Sequence, residues 1–141
     1  MTAGTTEYAA ALATLTHYYD AFNGGDHEGI LACLTDDVAH DINQGSRVTG
    51  KDEFRTFLAH MERTYAERLE NIVLMANEDG TRGAAEFIVY GQYLADDEGL
   101  PPATGQRYVL PAGGFFEFRD GLISRVTVYY NLADWIAQVS A

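Results

Sequence analysis

Apolar side chains recur at three- and four-residue steps in the first half of the chain and alternate at two-residue steps in the second. Between residues 6 and 23, Tyr8, Leu12, Leu15, Tyr18, Tyr19 and Phe22 form one stripe, which predicts an amphipathic helix. Gly24 and Gly25 end it. Asp26 is placed to cap a short second helix, with Ile30, Leu31 and Leu34 facing inward. Asp36 and Asp37 predict a turn, and residues 38–43 a short strand. A third helix is predicted over 51–66, burying Phe54, Phe57, Leu58, Met61 and Tyr65. From residue 68 the pattern is β. Residues 68–77 pair with 82–94 through a turn at 78–81, and 106–119 pair with 122–131 through Asp120-Gly121, a strong hairpin signal. Residues 132–139 predict a closing helix or turn. Helices first and antiparallel strands after them make the fold class α+β, not a parallel Rossmann sheet.

Two segments break the pattern. Pro111 cannot donate to a sheet ladder and Gly113-Gly114 tolerate bulge geometry, so a bulge or bend is expected at 111–114, wrapping the sheet around the helices and leaving a pocket. Residues 95–105, with two prolines and three acids, read as a solvated surface loop, with a lid as the alternative.

At 141 residues with no repeat or linker, the chain predicts one domain over 1–141 with its core in 7–139. Nine basic against 21 acidic residues give a net charge of −12, which argues against nucleic acid and anionic membranes as partners. No apolar run approaches the ~18 residues of a spanning helix, and residues 1–10 lack the pattern of a secretory signal. The lone Cys33, in an apolar helical setting, reads as a packing thiol. A cytoplasmic location is therefore expected.

The candidate chemistry centres on His40 and Asp41. Strand alternation puts Val38, His40, Ile42 and Gln44 on one, mostly apolar face and Asp41 on the other. A cavity histidine can shuttle protons near neutral pH, and a desolvated carboxylate can act as a base. Each has a plainer reading: a buried neutral imidazole, and a solvated or backbone-bonded Asp. Tyr18 could donate to a developing enolate oxygen or simply pack, with Tyr19 beside it. Glu86 and Tyr90 share one strand face, Tyr108, Phe116 and Tyr129 add aromatic lining, and Trp135 is placed to close the cavity base. Asp41 and Glu86 are the carboxylates that epoxide hydrolysis could draw on. The scattered histidines and single cysteine predict no metal site, and no phosphate loop or nucleotide fingerprint occurs, so no cofactor is expected.

The segments HYYDAFNGGD, DDVAHDINQG, GLPPATGQRYVLPAGGFFEFRDG and YYNLADW resemble SnoaL-like, ketosteroid isomerase-related proteins of the nuclear transport factor 2-like superfamily. That resemblance implies a cone-shaped α+β barrel, with three N-terminal helices packed in a curved antiparallel sheet. It also implies isomerase- or polyketide cyclase-type proton transfer on an apolar carbonyl compound, or a non-catalytic binding or interaction module on the same fold. In ketosteroid isomerases a strand Asp moves the proton, and a Tyr and a protonated Asp stabilise the dienolate. Here Tyr18 falls on that Tyr, the base position falls on Ile42 with Asp41 and His40 just before it, and the second acid falls near Gly114. Asn131 stands where many relatives carry Asp. The implied catalytic set is His40, Asp41, Tyr18 and Asn131. The implied pocket set is Tyr19, Ile42, Gln44, Glu86, Tyr90, Tyr108, Phe116, Tyr129 and Trp135. A sheet face rich in Tyr and Phe predicts a homodimer packed through it.

Overall fold

The computed structural model describes residues 3–141. Four helices and six strands follow in the order α1 (Ala3–Asn23), α2 (His27–Ala32), β1 (Leu34–Asp41), β2 (Arg47–Thr49), α3 (Lys51–Thr64), β3 (Tyr65–Ala76), β4 (Arg82–Tyr93), β5 (Arg107–Arg119), β6 (Leu122–Tyr130) and α4 (Leu132–Ser140). One six-stranded sheet runs β2-β1-β6-β5-β4-β3. The sheet is curved and antiparallel as expected except at one pairing, where β1 runs parallel to β6 and makes it mixed. Those two strands are joined by the whole intervening chain, so no hairpin constrains their direction.

Helix α1 buries Leu15, Tyr18 and Tyr19, while Tyr8 stays exposed and Ala11 takes its place in the core. The helix ends as its sequence requires. Gly25 adopts φ 67°, and the Asp26 and Gly25 amides donate to Ala21 and Phe22 carbonyls, closing the last turn. Asp26 then caps α2 by accepting from the Gly29 amide at 2.9 Å. The Asn23 side chain donates to Leu69 O and accepts from Leu69 N, each at 2.9 Å, tying the end of α1 to β3.

Asp36 and Asp37 lie inside β1 and not in a turn. The pairing with β6 shifts between Leu34 and Ala39, and this irregularity lets Asp37 reach Arg119 in solvent. The expected bulge at 111–114 is also displaced. Pro111 stands opposite Ile88 in unbroken register, and the shifts fall at Glu117–Phe118 and at Glu70–Val73, where Asn71 takes φ 55°. Proline is tolerated because β6 pairs no further than Ala112; one step past, Gln138 of α4 satisfies both the N–H and the carbonyl of Val109. The Asp120-Gly121 turn has φ 53° and 80°, as a two-residue hairpin turn demands.

The inward row Ala85, Phe87, Val89 on β4 and Tyr108, Leu110, Phe116 on β5 meets α1, α3 and Trp135 of α4. Each such large apolar side chain contributes on the order of 2 kcal/mol by burial. The loop after β4 is pinned, not merely solvated. Tyr93, fully buried, donates its hydroxyl to Pro101 O at 2.7 Å and accepts from the Asp97 amide at 3.0 Å. Asp97 in turn accepts from the Tyr65 hydroxyl at 2.6 Å and meets His60 Nε2 at 3.1 Å. Replacing Tyr93 with Phe leaves both loop groups unpaired and is expected to cost about 2 kcal/mol at roughly 1 per bond. Urea denaturation measures the loss, and hydrogen exchange should place it in residues 95–105.

The outer face of the sheet has its own composition. Glu86, Ile88 and Tyr90 of β4 lie opposite Val73, Glu70 and Arg68 of β3, and next to Val109 of β5 and, across β5, Tyr129 of β6. Arg82, Glu117 and Arg125 form one cross-strand row, with Arg125 ion-paired to Glu117. Arg47 and Asp41 extend the face at β1 and β2, and Arg107 at the start of β5.

Candidate functional site

The expected catalytic residues do not converge. Alternation is right for β1: Val38 and His40 turn inward and are buried, while Asp41 turns outward. His40 lies beneath α3, 4.6 Å from the Phe54 ring and 4.5 Å from Phe57, and its Nδ1 has no hydrogen-bond partner. Burial lowers its pKa to about 4, against a smaller upward pull from Asp41, so the imidazole is neutral at neutral pH. Asp41 is held by Arg47 at 2.6 and 3.0 Å and by the Thr127 hydroxyl at 2.6 Å, which bring its pKa down to about 2. Such a carboxylate is a poor base, and it faces away from the helices. Tyr18 sits in an aromatic cluster with Tyr19 and Phe116, and desolvation raises its pKa well above the usual phenol range. Asn131 is the N-cap of α4, accepting from the Asp134 amide at 3.0 Å.

The expected pocket set divides. Tyr19, Tyr108, Phe116 and Trp135 are buried on the helix side of the sheet, with the Tyr19 hydroxyl lying over Gly114. Glu86, Tyr90 and Tyr129 are corrected to the exposed outer face, because their strand parity is opposite to that of Phe87 and Tyr108. Ile42 and Gln44 lie beyond the end of β1, Gln44 exposed in a turn with φ 63°.

A cavity of about 140 Å³ opens instead at the junction of α1, α2, α3 and β3, lined by Phe22, Ile30, Leu58, Met61, Tyr65 and Glu67, with His27 and Glu62 at its margin. Two titratable groups of this wall, Tyr65 and Glu67, are perturbed by their surroundings, and Glu67 is the carboxyl of the two. Desolvation raises its pKa, and a hydrogen bond from the Tyr108 hydroxyl, 2.6 Å to Oε2, opposes the rise. Tyr108 remains a phenol, since burial and the neighbouring carboxylate push its pKa far up.

The contact depends on a missing side chain. Glu67 on β3, Gly91 on β4 and Tyr108 on β5 are cross-strand neighbours in one inward-facing row. Tyr108 crosses the middle strand to reach Glu67, and a Cβ on Gly91 would overlap its ring and hydroxyl. Trp135 packs edge-on against Tyr108 at 5.8 Å and Tyr65 at 6.0 Å, fixing both rings. Glu67 is hidden in the sequence because the apolar pattern there extends helix three to residue 66 and starts the strand at 68, whereas β3 begins at Tyr65. The glycine inside the strand Ile88-Val89-Tyr90-Gly91-Gln92-Tyr93 was the available signal. No group of three or more His, Cys, Asp or Glu able to hold a metal occurs among the described residues, and no helix there is long and apolar enough to cross a membrane.

The mixed curled sheet with helices on its concave side defines a cone-shaped α+β protein of the nuclear transport factor 2-like class. The SnoaL-like domain profile matches residues 15–126, and the chain belongs to that family. A structure from Pseudomonas putida KT2440, provisionally named a polyketide cyclase, is 60% identical over 92% of this chain and 97% of its own, with a TM-score of 0.90. One from Silicibacter sp. TM1040, named in the same provisional way, is 56% identical over 95% and 98%, with a TM-score of 0.92. An LEH-like epoxide hydrolase from M. tuberculosis, 20% identical over 95% of this chain and 87% of its own at a TM-score of 0.70, shares the fold. A search of curated proteins finds no match.

Proposed function

We propose that this chain binds a compact, uncharged carbonyl compound beside Glu67 and moves a proton on the adjacent carbon, in the manner of an isomerase or cyclase and without a cofactor. The Glu67–Tyr108 pair carries the reading. It is a carboxyl of raised pKa, oriented at 2.6 Å by a phenol, on the wall of a largely apolar cavity. A carboxyl shifted up toward neutral pH makes a more effective general base than an ordinary surface one. Tyr108 fixes which oxygen stays free to act. The proton-carrying role expected of His40 passes to Glu67 because the cavity reaches the one and not the other. At about 140 Å³ the cavity lies below the ~300–1,000 Å³ of drug-sized sites, which favours a ligand smaller than a four-ring steroid. Epoxide opening is the second reading, favoured by the two carboxylates, Glu62 and Glu67, on the same cavity.

The test mixes the protein with cyclohexenone in D2O and follows deuteration next to the carbonyl by NMR. Exchange faster than in buffer supports the proposal. Shift changes around the cavity without exchange would make the chain a binding module, and the absence of both would remove the cavity from the account.

A further inference from the structure

We propose that Asp97 sets the size of ligand the Glu67 cavity admits, as a positioning residue that acts through Tyr65 and α3 without lining the cavity itself. The inference rests on the reading of that cavity as the ligand site. Two of its walls come from consecutive elements. Leu58, Met61 and Glu62 belong to α3, and Tyr65 and Glu67 to β3. α3 passes into β3 at Thr64–Tyr65 with no connecting loop, so the angle at this elbow governs how far apart the walls stand. At 1.5 Å per residue Leu58 lies about 9 Å up the helix from Thr64, and a swing of about 10° at the elbow moves it about 1.5 Å, roughly one methylene.

The segment after β4 grips that elbow. The Leu94 and Ala95 amides both donate to the Thr64 carbonyl, at 2.8 and 3.3 Å. Asp97 then spans it. One carboxylate oxygen accepts from the Tyr65 hydroxyl at 2.6 Å, and the other meets Nε2 of His60, on α3, at 3.1 Å. Of Asp96, Asp97 and Glu98, only Asp97 is partly buried. A carboxylate suits the position because it offers two acceptor oxygens in a fixed fork, one for each wall. Asp97 is itself anchored, its amide donating to the Tyr93 hydroxyl, and the Tyr93 ring stacks on Tyr65 at 5.5 Å and 14°. Ring packing fixes the plane of Tyr65, and the bond to Asp97 fixes where its hydroxyl end lies. Removing the carboxylate frees Tyr65 and α3 to move apart, while the Glu67–Tyr108 contact is kept.

The test compares cyclohexenone with its two-ring analogue octalone, following deuteration in D2O and, separately, binding by NMR shift titration. Asp97→Ala should raise the octalone-to-cyclohexenone ratio of kcat/KM roughly tenfold, the scale of a small change in pocket size, and chiefly through KM. Its pH profile should stay in place, because Glu67 keeps its partner. Asp97→Asn retains an acceptor for Tyr65 and should restore most of the wild-type ratio. Tyr65→Phe cuts the same bond from the other side and should move the ratio in the same direction, which keeps the test open if Asp97→Ala does not fold. Asp96→Ala loses the bond from the Ala103 amide, 2.7 Å, and loosens the same loop without touching the elbow, so its ratio should match wild type. A ratio unmoved in the folded Asp97 or Tyr65 variant, or moved equally by Asp96→Ala, overturns the proposal. Binding selectivity that changes with Asp97 in a protein that exchanges no deuterium keeps the proposal and removes the proton transfer. Exchange with unchanged selectivity does the reverse, and no binding of either ketone removes both.

Discussion

Glu67→Gln is expected to lower ketone deuteration by roughly 10²–10⁴-fold, the usual contribution of one general acid–base group. Glutamine keeps the volume and can still accept from Tyr108, so the cavity stays shaped while the proton acceptor is lost. Stability should not fall. A carboxyl whose folded pKa is raised favours the fold at acid pH, and that advantage is lost as pH rises past its unfolded value. Removing the charge therefore helps at neutral pH, and a higher thermal midpoint there checks the assignment. Gly91→Ala should cut the same rate without touching either reacting group, because the new methyl displaces the Tyr108 ring. Its distinguishing mark is a shifted pH profile, since Glu67 loses the bond that holds its pKa down. A rate loss with an unmoved profile would reduce Gly91 to a packing position.

Acid should weaken the fold through His40 before it weakens it through the carboxylates. The unfolded imidazole titrates near 6.5 and the folded one at about 4. As pH falls below 6.5 the unfolded chain takes up a proton that the folded chain refuses, so stability drops across that window and levels off below 4. A shift of this size corresponds to about 3 kcal/mol. Asp41 has the same sign and a lower window, its contribution being lost below 3.8 as pH falls toward 2. His40→Phe removes the first loss and the unpartnered Nδ1 together, leaving a ring that packs on Phe54 and Phe57. Denaturant titrations of both proteins at pH 7.5 and 4.5 should show the gap between them widening at the lower pH. Parallel losses would assign the acid sensitivity elsewhere.

Periodicity made the helices and both antiparallel hairpins legible, because Leu15, Phe54 and Phe87 announce their faces at fixed steps. It also placed His40 inward and Asp41 outward, by strand parity alone. The candidate site was not legible in the same way. Glu67 lies three residues past the end of α3, which passes from Thr64 straight into β3 at Tyr65 with no glycine or proline at the junction, so its strand parity had no visible origin. Its partner lies 41 residues away and two strands across, a relation that depends on sheet order and register. Tyr90 and Tyr129 look like cavity lining in sequence because an aromatic residue reads the same whether it faces the helices or the outer side of the sheet.

Strand β3 is the last in the sheet, and its outward backbone groups would ordinarily invite another chain to add itself. The Asn23 amide answers both groups of Leu69, and the irregular backbone around Asn71 follows at once. A stray strand approaching here finds its first docking point already taken and the next one twisted out of line. Asn23, the last residue of the opening helix, is thereby expected to hinder strand addition at this edge. Asn23→Ala should reveal this as faster aggregation on warming, even under conditions where the folded population has barely changed.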